Sequence, residues 1–450
     1  MNEPTALQNT ALITDLYELT MAAAYFENNF NPRAAFELFT RRLPEGRTYL
    51  VCAGLEQALD YLEGLHFTEE QVEFLQGHPA FRHVSEKFFE YLLRFRFSGD
   101  AWAMPEGTPA FANEPMLRVS GPLIEAQIVE TFLLTTITFQ TLIASKAMRV
   151  MEAAQGRGVV EFGSRRAHGP ESGVLAARAA YIGGCIGTSN VEAGFRFGIP
   201  TYGTMAHSFV MAYADEDKAF QDFNRVFPEN GILILDTYDT LAAVEKIVRS
   251  GVRATGVRLD SGDIEGLAKE VRARLDEAGL CGTKIFASGD LDELAISSLM
   301  ASGAPIDSFG VGTELATSRD SPTMGGVYKL VEIERDGQVH PAAKFSEHKS
   351  TCPYAKQVFR FERNGCLEQD RIAHADERSP DGVPLLVPVM RNGKRNSAPE
   401  KLELIRQRAS KEIQKLPKRF RQLRNAETYP VSLSDELKKK AREFETTFKV

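Results

Sequence analysis

The chain has 450 residues, 43% of them hydrophobic and 25% charged, which is enough to bury the cores of two or three domains. With 53 basic against 61 acidic residues its net charge is −8, so no global field draws it to nucleic acid or to an anionic membrane, and any polyanion must be held locally. Five cysteines, Cys52, Cys185, Cys281, Cys352 and Cys366, lack CxxC spacing and regular pairing, which argues against a zinc knuckle or a disulfide framework and fits a reduced, cytoplasmic setting.

No basic segment leads into an apolar run near the start, and the charge-free stretch 131–145 is short and threonine-rich, so neither export signal nor membrane span is expected. ALITDLYELTMAAAYF predicts an amphipathic helix. Leu16, Leu19, Ala23 and Phe26 keep helical spacing, and Thr14 or Asp15 is placed to cap the start. Tyr17, Met21 and Ala24 form a second apolar face, suited to meet something other than water. Strand-like pieces at 35–39 and 49–53, joined by RRLPEGR, and a Pro- and Gly-punctuated stretch at 104–122 suggest an α/β sheet domain over residues 1–125. A long helical stretch, 123–155, follows.

Between Val159 and Thr313 one pattern repeats: a short apolar strand, a cluster of small, polar and charged residues, then a helix-like stretch. The clusters read EFGSRRAHG, GTSN, GTMAHS, LDTYD, RLDSGD, ASGD and GVGT. Strands and helices alternating at roughly 25-residue spacing predict a parallel sheet closed into an irregular, TIM-like α/β barrel over 126–330, continuous to about Tyr328. Barrels collect function at the C-terminal ends of their strands, so Arg165, Ser189, His207, Asp236, Arg258, Asp260, Asp263 and Ser288 are expected to converge on one rim.

Asp260 and Asp263 put two carboxylates three residues apart at a strand end, where they can bind ribose hydroxyls or a hydrated Mg²⁺ carrying pyrophosphate; Asp263 also suits a helix cap. Gly289 and Gly312 would let backbone approach an oxygen closely, or serve as ordinary tight turns. No GxxxxGK[ST] loop occurs, so a bound nucleotide needs other anion contacts.

Residues 331–450 read as a C-terminal segment that returns to the first sheet and adds helices. Asp336-Gly337 and Asn364-Gly365 signal two hairpins. Ser397 with Glu400 suggests a capping box for a helix whose Leu402, Ile405, Ala409, Ile413 and Leu416 form a stripe before Pro417. The basic residues around it read as a solvated face.

ITDLYELTM, EFGSRRAHG, GTSNVEAGFRFGIPTYGTMAHSF, LDTYDT, GVRLDSGD and FGVGTELATS, in this order, closely resemble the nicotinate phosphoribosyltransferase family. The resemblance spans most of the chain and weakens after Lys344, where PYA before Lys356 stands in place of the relatives' usual proline-glycine turn. It implies a type II phosphoribosyltransferase: a barrel joined to an α/β sheet domain, acting as a homodimer with shared active sites. The reaction it implies converts nicotinate and phosphoribosyl pyrophosphate to nicotinate mononucleotide and pyrophosphate, in NAD biosynthesis. The resemblance also implies ATP as a co-substrate and Mg²⁺ as the metal.

The resemblance makes His207 the phosphate acceptor, with Asp236 its carboxylate partner. It assigns phosphate contacts to Arg165, Arg258 and the amides of Gly310, Gly312 and Thr313, with Thr204 and Ser288 as further substrate-binding positions. It stacks the pyridine between Phe162 and a Tyr17 supplied by the partner subunit. In the related nicotinamide phosphoribosyltransferase an aspartate matches Ser189; a serine removes that repulsion of a substrate carboxylate. Use of nicotinamide and a non-catalytic binder of NAD precursors are the alternative readings, with quinolinate transfer and a barrel aldolase less favoured.

Overall fold

A computed structural model describes residues 11–346 and 350–447. They form two compact units, one holding the chain up to Leu142 and from Thr323 onward, the other Ile143–Pro322.

In the first unit the strand Arg33–Thr40 lies between Gly326–Arg335 and Leu117–Pro122, antiparallel to both. All its residues after Arg33 are buried, which explains a run of apolar residues with little alternation. Asp100–Ala103, Val387–Arg391 and Lys394–Arg395 extend the sheet on one side and Gln338–Pro341 on the other, making seven strands from both ends of the chain. The turn at Asp336 (φ 51°) and Gly337 (φ 72°) closes the expected hairpin.

The second hairpin departs from expectation. Lys356–Arg363 and Cys366–His374 do not join this sheet but form another with Val383–Pro384 and Val431–Leu433. Arg360 and Asp370 face each other across it as a buried ion pair, 2.5 Å apart. Nor do the two early strands pair with each other: Leu50–Val51 pairs with Pro109–Ala110. In the loop ahead of Lys356, Tyr354 adopts φ 66°, the left-handed conformation that a glycine takes without steric cost.

Helix Leu16–Glu27 forms as expected, with Leu19 and Ala23 buried, but Leu16 is exposed. Asp15 stands at the cap position without capping, because its carboxylate accepts the Thr131 hydroxyl at 2.9 Å. The stretch 123–155 divides at Val129 into Leu123–Ile128 and Glu130–Ala153. Helix Leu402–Lys415 begins without the predicted capping box; Glu400 instead pairs with Arg408. Ile405, Ala409 and Ile413 are its buried stripe, and Lys415 pairs with Glu362 and Glu412.

The second unit is built on six parallel strands in the order Gly187–Thr188, Gly158–Glu161, Ser308–Val311, Lys284–Ala287, Gly256–Leu259 and Ile232–Ile234. Thr188 also bridges Thr201 in parallel. Among the described residues no ladder joins the 201 segment to Ile232–Ile234, so the barrel-like sheet has a seam, and GTMAHS lies in it. The barrel strands end at Val311; Tyr328, to which the barrel was expected to run, belongs to the sheet of the first unit. Among the described residues no helix is long and apolar enough to cross a membrane.

Candidate active site

Arg258 is the third residue of the strand Gly256–Leu259, and its guanidinium gathers four motifs. It donates to Ser288 Oγ at 2.8 Å, to Thr204 Oγ1 at 3.0 Å and to Asp260 Oδ1 at 2.6 Å, and lies 5.6 Å from the Phe162 ring centroid. Ser288 is buried, and its hydroxyl donates to the same Asp260 oxygen at 2.5 Å. Both sides of that hydroxyl are used, so Ser288 fixes the Arg258 and Asp260 side chains against each other rather than standing free for substrate. Burial acts to raise the Asp260 pKa, but the Ser288 hydroxyl, the Arg258 guanidinium and His207 together bring it below the usual carboxylate value.

Gly289 has φ 90°, and a Cβ there would lie 1.8 Å from the Asp260 carbonyl oxygen. The close approach expected of this glycine is thus to the neighbouring strand's turn, which it allows to sit beside its own.

His207 opens the short helix His207–Met211 and is part-exposed. Its Nε2 lies 3.7 Å from Asp260 Oδ2 and 4.0 Å from Asp236 Oδ1, while Nδ1 is 3.2 Å from the Thr237 hydroxyl. Asp236 Oδ2 accepts the Asp260 N–H at 3.2 Å and the Ser261 hydroxyl at 2.5 Å. One imidazole therefore faces two carboxylates from adjacent strand ends. Asp263 is not one of them: its Oδ1 accepts the Gly266 N–H at 3.1 Å, capping helix Ile264–Glu277. The carboxylate beside Asp260 is Asp236. No group of three or more His, Cys, Asp or Glu placed to hold a metal is present among the described residues.

Phe162 follows the strand Gly158–Glu161 and packs against Phe286, centroids 5.5 Å apart. Gly310 lies inside its strand opposite Val160, and a Cβ there would meet Phe162 and Phe286 at 2.7 and 2.8 Å. Space for two rings therefore requires this glycine, which was expected to offer an amide to phosphate. Gly312 and Thr313 open the short helix Thr313–Ala316, where first-turn amides lack intrahelical partners. Arg165 is exposed in the turn Ser164–Arg166. The Ser189 N–H donates to the Glu161 carbonyl at 2.9 Å. Tyr17, in the first unit, is 47% exposed.

Family models for nicotinate phosphoribosyltransferase match this chain in three parts: the N-terminal domain at residues 12–138, the family model at 158–360 and the C-terminal domain at 381–441. The chain belongs to the nicotinate phosphoribosyltransferase family. A nicotinate phosphoribosyltransferase of Mycobacterium tuberculosis is 46% identical over 438 residues, covering 95% of this chain and 92% of the relative. One from Bacillus subtilis is 43% identical, over 82% of this chain and 77% of its own. The crystal structure of human nicotinic acid phosphoribosyltransferase matches with a TM-score of 0.83 and 29% identity, covering 96% of this chain and all of that one.

Three residues of this family member's site were not singled out from sequence. Thr237 and Ser261 directly follow Asp236 and Asp260 and hold the His207 ring and the Asp236 carboxylate. Glu161 ends an otherwise apolar strand, GVVE, and is fully buried. An acid closing such a strand was the available signal.

Proposed function

We propose that this chain transfers the phosphoribosyl group of phosphoribosyl pyrophosphate to the ring nitrogen of nicotinate, forming nicotinate mononucleotide and pyrophosphate, with ATP hydrolysis coupled through a phosphate on His207. The observation that carries this reading is the placing of one imidazole between Asp236 and Asp260 while Asp260 is tied to Arg258. A phosphate acceptor and a site for the donor's phosphates and ribose thereby share a carboxylate.

The carboxylates beside Nε2 favour a proton on that nitrogen, which leaves the Nδ1 lone pair as nucleophile toward the γ-phosphate of ATP. In that tautomer the Thr237 hydroxyl, 3.2 Å from Nδ1, donates to it and must turn aside for attack. Glycosyl transfer builds positive charge on ribose as pyrophosphate leaves, so positioning and charge stabilisation count for more than a strong base. Arg258, Arg165 and the amides of Gly312 and Thr313 supply anion contacts; Asp260 suits the ribose hydroxyls.

Asp236 Oδ1 is buried with no hydrogen-bond partner among the described residues, and Asp260 Oδ2 faces the same imidazole. These oxygens fit a hydrated Mg²⁺ whose shell is completed by substrate phosphate, an ion that would neutralise pyrophosphate charge. Phe162 would stack on the pyridine and Ser189 accommodate its carboxylate. A second copy would supply Tyr17, whose exposed apolar helix face, with Leu16 and Met21, suits a covered surface.

Incubating the protein with phosphoribosyl pyrophosphate and either nicotinate or nicotinamide, with and without ATP, and identifying the mononucleotide tests the reading. Preferential formation of nicotinamide mononucleotide, or of neither product, would overturn it.

A further inference from the structure

Glu161 is the last residue of its strand, in register with Val311 on one side and Thr188 on the other. It is fully buried. Its Oε1 accepts the Gly163 N–H, its Oε2 accepts the Thr188 hydroxyl at 2.6 Å, and its carbonyl accepts the Ser189 N–H at 2.9 Å. The Thr188 oxygen in turn accepts the Asn190 N–H at 2.9 Å. Burial pushes the Glu161 pKa up against these hydrogen bonds, and among the described residues no ion pair to it is found. The molecule thus buries an acidic side chain without a countercharge, held by hydrogen bonds alone.

What the carboxylate joins explains it. Gly163 directly follows Phe162, and Thr188 directly precedes Ser189. The Gly163 turn has no slack elsewhere: a Cβ on Gly163 would lie 2.2 Å from the Ala316 Cβ and 2.7 Å from the Gly312 carbonyl oxygen. One turn is therefore pressed against the Gly312 turn, and Glu161 ties the other to it.

We propose that Glu161 is a positioning residue for base recognition: its two carboxylate oxygens hold the Phe162 turn and the Ser189 turn at one separation, and so set the width of the slot that takes a planar aromatic carboxylate. This rests on the reading that Phe162 and Ser189 line the base pocket. The clamp acts through geometry and not through charge. A glutamine keeps the reach and the Gly163 contact, accepting that N–H with its oxygen and donating its amide to the Thr188 oxygen, whose own proton must then turn to another acceptor. An alanine keeps neither.

Initial rates of the purified full-length chain, with nicotinate, nicotinamide and phosphoribosyl pyrophosphate each varied, separate the two readings. Wild-type formation of nicotinate mononucleotide tests the reaction, and a shift in the preference between nicotinate and nicotinamide in Ser189→Asp tests the base-pocket reading; the Glu161 variants test the clamp. Glu161→Ala should raise the nicotinate KM by ~10-fold while leaving kcat and the KM for phosphoribosyl pyrophosphate within ~3-fold, because the loss falls on binding shared by ground and transition states. It should also shrink the preference for nicotinate over nicotinamide. Glu161→Gln should restore all of these to within ~3-fold of wild type. Equal losses in kcat and in every KM for Glu161→Ala would mean a general structural role and overturn the proposal. So would a Glu161→Gln as impaired as Glu161→Ala, since charge would then be what matters. If the alanine variant fails to fold, Thr188→Val decides: an unchanged nicotinate KM refutes the clamp, and a rise of ~3-fold or more with kcat kept supports it.

Discussion

Oδ1 of Asp236, buried and without a hydrogen-bond partner among the described residues, lies 4.0 Å from Nε2 of His207. An unpaired buried carboxylate oxygen costs about 1–3 kcal/mol, a cost that a protonated Nε2 drawn closer, or a bound cation, would remove.

With γ-labelled ATP, phosphate should appear on His207 as an acid-labile, base-stable adduct, at Nδ1 if the proton sits on Nε2. Chromatography of the digested protein distinguishes the two phosphohistidine isomers. His207→Asn should abolish labelling and ATP hydrolysis while leaving slow, uncoupled synthesis, and Asp236→Asn should slow labelling by about 10²-fold. Full labelling of His207→Asn would remove the assignment.

Ser189→Asp should damage nicotinate turnover more than nicotinamide turnover, since only the substrate carboxylate meets the new charge. The ratio of the two kcat/KM values should move by at least ~10-fold, as a repulsion of ~1.4 kcal/mol already gives that factor. Equal losses would place Ser189 outside the base pocket.

Ser288→Ala removes a donor to Asp260 and an acceptor for Arg258, the part-buried charged pair that the buried Ser288 hydroxyl joins. Stability should fall by about 1–3 kcal/mol in denaturant unfolding. The Asp260 pKa, held down in part by that hydroxyl, should rise. The acid limb of the kcat/KM profile should then move to higher pH. An acid limb that stays in place would separate Asp260 from the rate-controlling ionisation.

Glu18 is buried at the start of helix Leu16–Glu27, and burial raises its pKa from 4.5 to about 7, against hydrogen bonds from Thr131 and Thr14. A carboxyl raised in this way contributes stability that is complete below pH 4.5 and lost as pH climbs through about 7. Between those limits the Glu18 contribution should decline by on the order of 2–3 kcal/mol. Thermal melts across this window should show a slope that Glu18→Gln removes; an unaltered slope in the variant would assign it to another group.

Tyr17→Ala and His207→Ala subunits, each lacking ATP-coupled turnover at the wild-type rate, should restore one another if Tyr17 acts across a dimer. Random assembly of equal amounts makes about half of all dimers mixed, each with one intact site, so activity should return to roughly a quarter of wild type per subunit. Mixed dimers showing only the average of their parents would return Tyr17 to its own chain.

Much of the site was legible because barrel chemistry is written at strand ends. Each strand-ending cluster is local, and the parallel repeat predicts that their tips share a rim, so His207, Asp236, Arg258, Asp260 and Ser288 could be named together from the sequence. The Asp-Gly and Asn-Gly turns were legible for the same reason: a left-handed φ is a property of one or two residues.

Pairings across space were not legible. The sequence determined which residue types stand at the rim and where strands, helices and turns begin. Only the tertiary structure decided that Asp236 and not Asp263 lies beside Asp260, and that a side chain at Gly310 would collide with the rings of Phe162 and Phe286. It also decided that the second hairpin builds a sheet of its own and that Glu161 spans two turns. Local patterns depend on one residue's backbone and its near neighbours, whereas these choices depend on contacts between segments whose separation along the chain sets no distance in space.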